Sequence, residues 1–195
     1  MNVNTPIQID GFDFYPLTPE RWGDFEALFS PNGAGGCWCM FWRLPRQQFQ
    51  QNCLQHGAAN RQAMRDLVQS GVIAGLLGYQ AGQPLVWCSV APREDFSALE
   101  RSRNLKRLDD QPVWSIVCFY VARSARQSGA MLAAIRAAVA YARLNGAKMV
   151  EAYPTPVEGH HTPGDLYMGS LSTFLKAGFK ETAQRGAHRV VRIQL

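Results

Sequence analysis

Val113 to Val121 reads Val-Trp-Ser-Ile-Val-Cys-Phe-Tyr-Val, an almost unbroken apolar run. A half-exposed strand alternates polar with apolar residues; a run this continuous suits a strand buried on both faces. Residues 122 to 130 then form a polar turn containing Gly129. Met131 to Arg143 is alanine-rich and stops at Asn145-Gly146, the ending of a helix. A buried strand, a glycine turn and a helix in that order bring several backbone N–H groups and the positive end of the helix dipole to one point. That is an anion site suited to a pyrophosphate. Gly129 lets the backbone approach a ligand closely, and Arg126 supplies a charged donor. An ordinary strand-turn-helix connection has the same local sequence, so the motif alone leaves both readings open.

The rest of the chain sets this unit in an α/β frame. A first strand is expected among Ile7, Ile9, Phe12 and Phe14, then a helix starting at Thr18-Pro19 and carrying Trp22, Phe25 and Leu28. A glycine turn at 33–36 precedes a second helix from Gln47 to Gln69, broken near Gly57. Val72 to Tyr79 and Pro84 to Val90 read as a hairpin. Residues 92 to 111 read as a loop with a helical piece. Lys148 to Tyr153 is a strand ended by Pro154, Leu171 to Lys176 a short helix, and Arg189 to Leu195 a last strand. The expected architecture is a central mixed sheet flanked by helices. One domain spans 1–195, with residues 1–70 forming an acceptor-side region and 71–195 a core.

Composition narrows the partners. Hydrophobic residues are 47% and charged residues 18% of 195, a balance that can bury a core without staples. Five cysteines, an odd number without framework spacing, point to a reducing cytoplasm. No run reaches the roughly 18 apolar residues of a membrane span, so no membrane partner is expected. The net charge of +5 is dispersed apart from Arg101, Arg103, Lys106 and Arg107. Without a recognition motif, nucleic acid is disfavoured. Cys37-x-Cys39 is insufficient for a metal site, and no metal is expected.

Phe119-Tyr120-Val121 followed by Arg126-Gln127-Ser128-Gly129-Ala130 resembles the acetyl-CoA motif of the GNAT N-acetyltransferase family. Phe174-Leu-Lys-Ala-Gly178-Phe179 resembles its late helix with the Gly-Phe ending. The resemblance spans about 110 residues and keeps the family's element order. It implies an acyl-CoA N-acyltransferase fold and a mostly antiparallel mixed sheet. It also implies acetyl transfer from acetyl-CoA to an amine by direct attack in a ternary complex. Phe119 to Val121 and Arg126 to Met131 are then the cofactor-binding residues, and a backbone N–H near Phe119 polarises the thioester carbonyl. Met131 falls where the family motif has a small residue, and Phe174 falls where members often carry the tyrosine that protonates the departing thiolate. These departures motivate the alternative of a CoA-binding sensor with little or no catalysis.

Candidate catalytic groups are Glu151, His160 with its neighbour His161, and Tyr167; Tyr120 and Tyr153 are further phenols near the expected site. Trp38, Trp42 and Arg43, after the glycine turn, are candidate acceptor-binding residues, because aromatic faces attract ammonium groups. They serve equally well as anchors packing the N-terminal elements on the sheet. The acceptor stays unidentified, and a homodimer stays open.

Overall fold

The computed structural model describes residues 3–29, 33–156, 166–186 and 188–195. Eight strands form one sheet in the order β1-β2-β3-β4-β5-β6-β8-β7. They are β1 (Ile7–Ile9), β2 (Phe12–Pro16), β3 (Leu76–Gln80), β4 (Gln83–Pro92), β5 (Trp114–Val121), β6 (Met149–Ala152), β7 (Lys180–Arg185) and β8 (His188–Gln194). Among these strands of the described residues, only the β5–β6 pair is parallel, besides an isolated parallel bridge between Thr155 and Ser170. The helices are α1 (Trp22–Phe29), α2 (Gly33–Gly36), α3 (Arg46–Asn52), α4 (Leu54–Gln69), α5 (Ser97–Glu100), α6 (Ala130–Leu144) and α7 (Leu171–Lys176). The expected mixed, mostly antiparallel sheet with flanking helices is the observed architecture.

Several local expectations change. The N-terminal strand is a hairpin, because Asp10 (φ 50°) and Gly11 (φ 81°) make a tight turn with both residues left-handed. The helix expected over 47–69 divides into α3 and α4 at Cys53, and His56 and Gly57 also take positive φ. β7 was not anticipated: Lys-Glu-Thr-Ala-Gln-Arg is an edge strand with no buried residue, so it has no apolar alternation to betray it.

Strand alternation sorts the core onto two faces of the sheet. Val86, Cys88, Val90, Ile116 and Phe119 pack with the alanine face of α6, including Ala133, Ala134, Ala137 and Ala138. Small side chains let that helix lie close against the strands. On the opposite face, Leu77 and Trp87 meet Trp22, Phe25 and Phe29 of α1 and Met64 of α4. A third cluster gathers Trp42, Phe96, Val117, Tyr153 and Met168 at one end.

Two irregularities in β5 position the site. Ser89 pairs with Cys118 and Val90 with Ile116, so Val117 is a bulge residue without its own partner. The bulge puts Ile116 and Phe119 on the α6 face, while Cys118 and Tyr120 pack towards the other. In addition, β5 pairs with β6 only from Trp114 to Ile116. β6 ends at Ala152, ahead of Pro154, which cannot donate to a ladder. From there to Val121, no strand among the described residues pairs with the side of β5 that faces away from β4.

Candidate functional site

The gap left by β6 opens into a cavity of about 870 Å³ that reaches both faces of the sheet. One end is the turn between β5 and α6. Ala125, Arg126, Gln127 and Gly129 line it, followed by Ala130, Met131 and Leu132 of the first helical turn. The first bond inside α6 runs from the Ala133 N–H to the Gly129 carbonyl at 3.0 Å. The N–H groups of Ala130, Met131 and Leu132 therefore have no acceptor within the helix. Gly129 sits at φ +85°, and a Cβ built there would meet nothing within 4 Å. The backbone is thus bare toward open space beside three free donors and the positive end of a 15-residue helix. Such a cradle fits a pyrophosphate.

Of the anticipated cofactor residues, Phe119, Tyr120, Val121, Arg126, Gln127, Gly129, Ala130 and Met131 line the cavity. Ser128 does not; its hydroxyl donates to the Ala125 carbonyl at 2.7 Å and ties the turn together. Arg126 is exposed, and its Nε reaches the Val121 carbonyl at 3.4 Å. Met131 occupies the small-residue position of the motif from the edge of the core, without closing the cavity.

The middle of the cavity runs along β5. The Phe119 N–H donates to the Tyr167 carbonyl at 2.6 Å, on the side β6 has vacated. Alternation points the Val121 N–H to that same side, next to the cavity. The Tyr167 ring lies edge-on to Phe41 at 6.5 Å between centroids. Burial, aided by Cys118 and Cys37, pushes its phenol up to about 12, so it stays protonated at neutral pH.

The far end is formed by Phe29, Ala34, Cys37, Cys39 and Phe41, facing Cys118 and Tyr120 of β5. Tyr120 stacks on Phe29 at 4.9 Å. Burial pushes the Cys37 thiol up to about 11. Cys39 departs from this pattern. Burial opposes its ionisation, but the neighbouring Cys118 thiol, the Trp87 indole N–H and the charge of Arg43 outweigh burial and pull it below the ordinary thiol value. The neighbouring Cys39, with burial, drives Cys118 well above it.

The other anticipated residues lie elsewhere. Glu151 is not brought to the cavity: alternation in β6 turns it into the core, 1% exposed. Its Oε1 accepts from Arg93 Nη1 at 3.1 Å and from the Tyr153 hydroxyl at 2.6 Å, and its Oε2 from Arg192 Nε at 2.7 Å. Tyr153 is held in the same network, with its hydroxyl 2.9 Å from Ser115 Oγ. Trp38 packs on Phe29 at 5.7 Å, and Trp42 is buried beside Phe96. Arg43 Nη2 donates to the Ala74 carbonyl at 3.1 Å, with its guanidinium over the Phe96 ring. None of these three lines the cavity; their neighbours Cys37, Cys39 and Phe41 do. Positive φ at Trp38 (46°) and Cys39 (60°) defeats side-chain alternation, which explains the exchange. Phe174 is fully buried against Phe119 and Phe179, so no phenol stands at that position. His160 and His161 lie outside the described residues. Thr173 and Lys176 of α7, which the sequence did not single out, also line the cavity.

Among the described residues, no group of three or more His, Cys, Asp or Glu could hold a metal ion. No described helix is long and apolar enough to cross a membrane.

No protein-family model matches the chain, and no curated protein matches it. Solved structures do. A GNAT-family acetyltransferase from Streptococcus agalactiae superposes with a TM-score of 0.58 at 11% identity, over 97% of this chain and 98% of that one. A GNAT-family acetyltransferase from Listeria monocytogenes gives 0.56 at 9%, over 98% and 100%. The PaiA N-acetyltransferase from Thermoplasma acidophilum, solved in complex with coenzyme A, gives 0.53 at 11%, over 94% and 99%. The chain has the GNAT acetyltransferase fold.

Proposed function

We propose that this chain, built on the GNAT fold, is an N-acetyltransferase that carries an acetyl group from acetyl-CoA to a primary amine by direct attack in a ternary complex. The observation that carries the reading is the cradle. The N–H groups of Ala130, Met131 and Leu132, without acceptors in the helix, and an open Gly129 face a cavity that continues along the side of β5 turned away from β4. The donor's pyrophosphate lies at the α6 N-terminus, with Arg126 and Lys176 as cations at the mouth. Its pantetheine arm runs beside β5 in place of a strand, where the Val121 N–H can pair with an amide of the arm.

The protein contributes mainly position. Two reactants held side by side no longer pay the entropy of meeting. The Phe119 N–H, whose acceptor in this structure is the Tyr167 carbonyl, is the β5 donor that exchanges that carbonyl for the oxyanion formed as the amine nitrogen bonds to the carbonyl carbon. Tyr167, which lines the cavity, is the proton donor for the departing thiolate in place of the phenol that Phe174 lacks, although burial makes it a weaker acid than an ordinary phenol. The chain acts as one cytoplasmic domain, with residues 1–70 supplying acceptor contacts. Release of CoA from acetyl-CoA, monitored with a thiol reagent across a panel of primary amines, tests the reading.

A CoA-binding sensor is the second reading, favoured by the burial of Phe174 where an acid is usual. It predicts that CoA binds tightly while no amine in the panel is acetylated.

A further inference from the structure

The far end of the cavity holds a thiol that acyl transfer from CoA does not by itself require. Cys39 is 4% exposed and lines the cavity. The buried Trp87 Nε1–H donates to its Sγ at 3.1 Å. An indole N–H can only donate, and a thiolate is a far better acceptor than a thiol. Arg43 bonds through Nη1 and Nη2 to the carbonyls of Asp95 and Ala74, and its Nε is buried without a partner. Among the described residues this guanidinium forms no ion pair with a carboxylate. Trp38 and Cys39 are consecutive non-glycine residues in the left-handed region, a conformation that persists only where surrounding structure enforces it. Around the thiol stand Cys37 and Arg43 from its own segment, Trp87, Cys88 and Ser89 from β4, and Cys118 from β5. Phe29, Phe41, Tyr120 and Tyr167 complete the walls of this end.

We propose that Cys39, as a thiolate, is the acceptor-side base: it draws in the ammonium of an amine carried on an apolar body and takes its proton. This rests on the acyl-transfer reading. The aromatic walls suit an aryl or alkyl body, and the thiolate provides the negative pole. One proton passes from the ammonium to the Cys39 sulfur, and the freed lone pair forms the N–C bond to the thioester carbonyl. As the tetrahedral adduct collapses, the C–S bond breaks and its electron pair leaves on the CoA sulfur. The nitrogen sheds a second proton. Of the two protons, one replaces the proton that Tyr167 gives to the CoA thiolate and the other goes to solvent, which restores both the Tyr167 phenol and the Cys39 thiolate.

Two measurements on the full chain test this. The first is the pH dependence of iodoacetamide labelling, mapped by peptide mass spectrometry. Cys39 should label with a midpoint below that of an ordinary thiol, about 8.5, whereas Cys37 and Cys118 should not. A midpoint at or above that value, or no labelling of Cys39 at any pH, overturns the proposal. The second compares phenethylamine, charged at neutral pH, with aniline, already neutral there. Cys39→Ser and Cys39→Ala should lower kcat/KM for phenethylamine by about 100-fold and lower it much less for aniline. Both variants should keep the thermal shift caused by acetyl-CoA. Equal losses for the two amines, unchanged rates, or no wild-type turnover of phenethylamine contradict the assignment. So does an acetyl group on Cys39 after incubation with acetyl-CoA alone, which marks a covalent route. Loss of the acetyl-CoA shift in wild type would sink the acyl-transfer reading itself.

Discussion

Replacing Glu151 separates a structural carboxylate from a catalytic one. The side chain is 2% exposed and bonds Arg93, whose own side chain is 1% exposed. Breaking a buried pair by removing one partner costs about 3–5 kcal/mol, because the remaining charge stays buried. Here the loss is partly compensated. Arg93 keeps Glu100 at 2.9 Å and the Leu105 carbonyl at 2.6 Å, and Arg192 keeps Asp109 at 2.6 Å. Glu151→Ala should therefore fall near the low end, about 3 kcal/mol. For a chain of this size each kcal/mol moves the melting midpoint by about 2–4 °C. A fall of roughly 6–12 °C in a thermal melt follows. Glu151→Gln, which keeps an acceptor oxygen, should fall less. At a temperature where the variant is folded, acetyl transfer should change less than about tenfold, since general-base loss costs 10²–10⁴. An unchanged midpoint with activity lost by more than about 100-fold would refute this reasoning and return Glu151 to the role of base.

Tyr167→Phe should lower kcat while leaving acetyl-CoA affinity unchanged. Wild-type rates should show no descending limb from this phenol below its value of about 12; a limb near 10 that vanishes in the variant would contradict its burial. Burial raises the Cys37 thiol from 9.0 to about 11, so its contribution to stability is complete below pH 9 and is lost as pH climbs toward 11. The size is about 2–3 kcal/mol. Melts of wild type and Cys37→Ala from pH 8 to 11 check it, with the steeper alkaline fall expected in wild type.

The parts of the fold legible in the sequence are those where one environment dictates a run of residues. β5 is apolar almost throughout because packed layers cover both faces of the sheet there, and α6 is alanine-rich because it lies close on the strands. The cradle follows from their junction, so Gly129 and its neighbours were recognisable. β7 was hidden because an exposed edge strand has no buried face to mark it. The hairpin at Asp10-Gly11 was legible in its Asp-Gly pair, flanked by alternating apolar residues, but it passes for one strand if the pair is not weighted. At the acceptor end, legibility fails for physical reasons. Trp38, Trp42 and Arg43 stood out as candidate acceptor contacts, yet left-handed φ at two successive residues decides which side chains reach the cavity. The approach of Phe29, Cys118 and Lys176 to one cavity depends on long-range packing that no local pattern encodes. The direction of Glu151 depended on strand phase, which was fixed only once β6 had paired with β5 and β8.

A thermal-shift titration with acetyl-CoA tests the central claim most directly. Binding to the folded state alone stabilises by about 2.7 kcal/mol at a hundredfold excess over Kd, so the midpoint should climb by several degrees and keep rising with ligand concentration. Gly129→Trp puts an indole into the open space beside the N–H groups of Ala130, Met131 and Leu132. The left-handed φ of +85° costs it about 1–3 kcal/mol of strain, so its own melting midpoint falls, but it should remain folded while losing the shift. No shift of the wild-type protein at millimolar acetyl-CoA, or an undiminished shift in Gly129→Trp, would contradict a donor site at the α6 N-terminus.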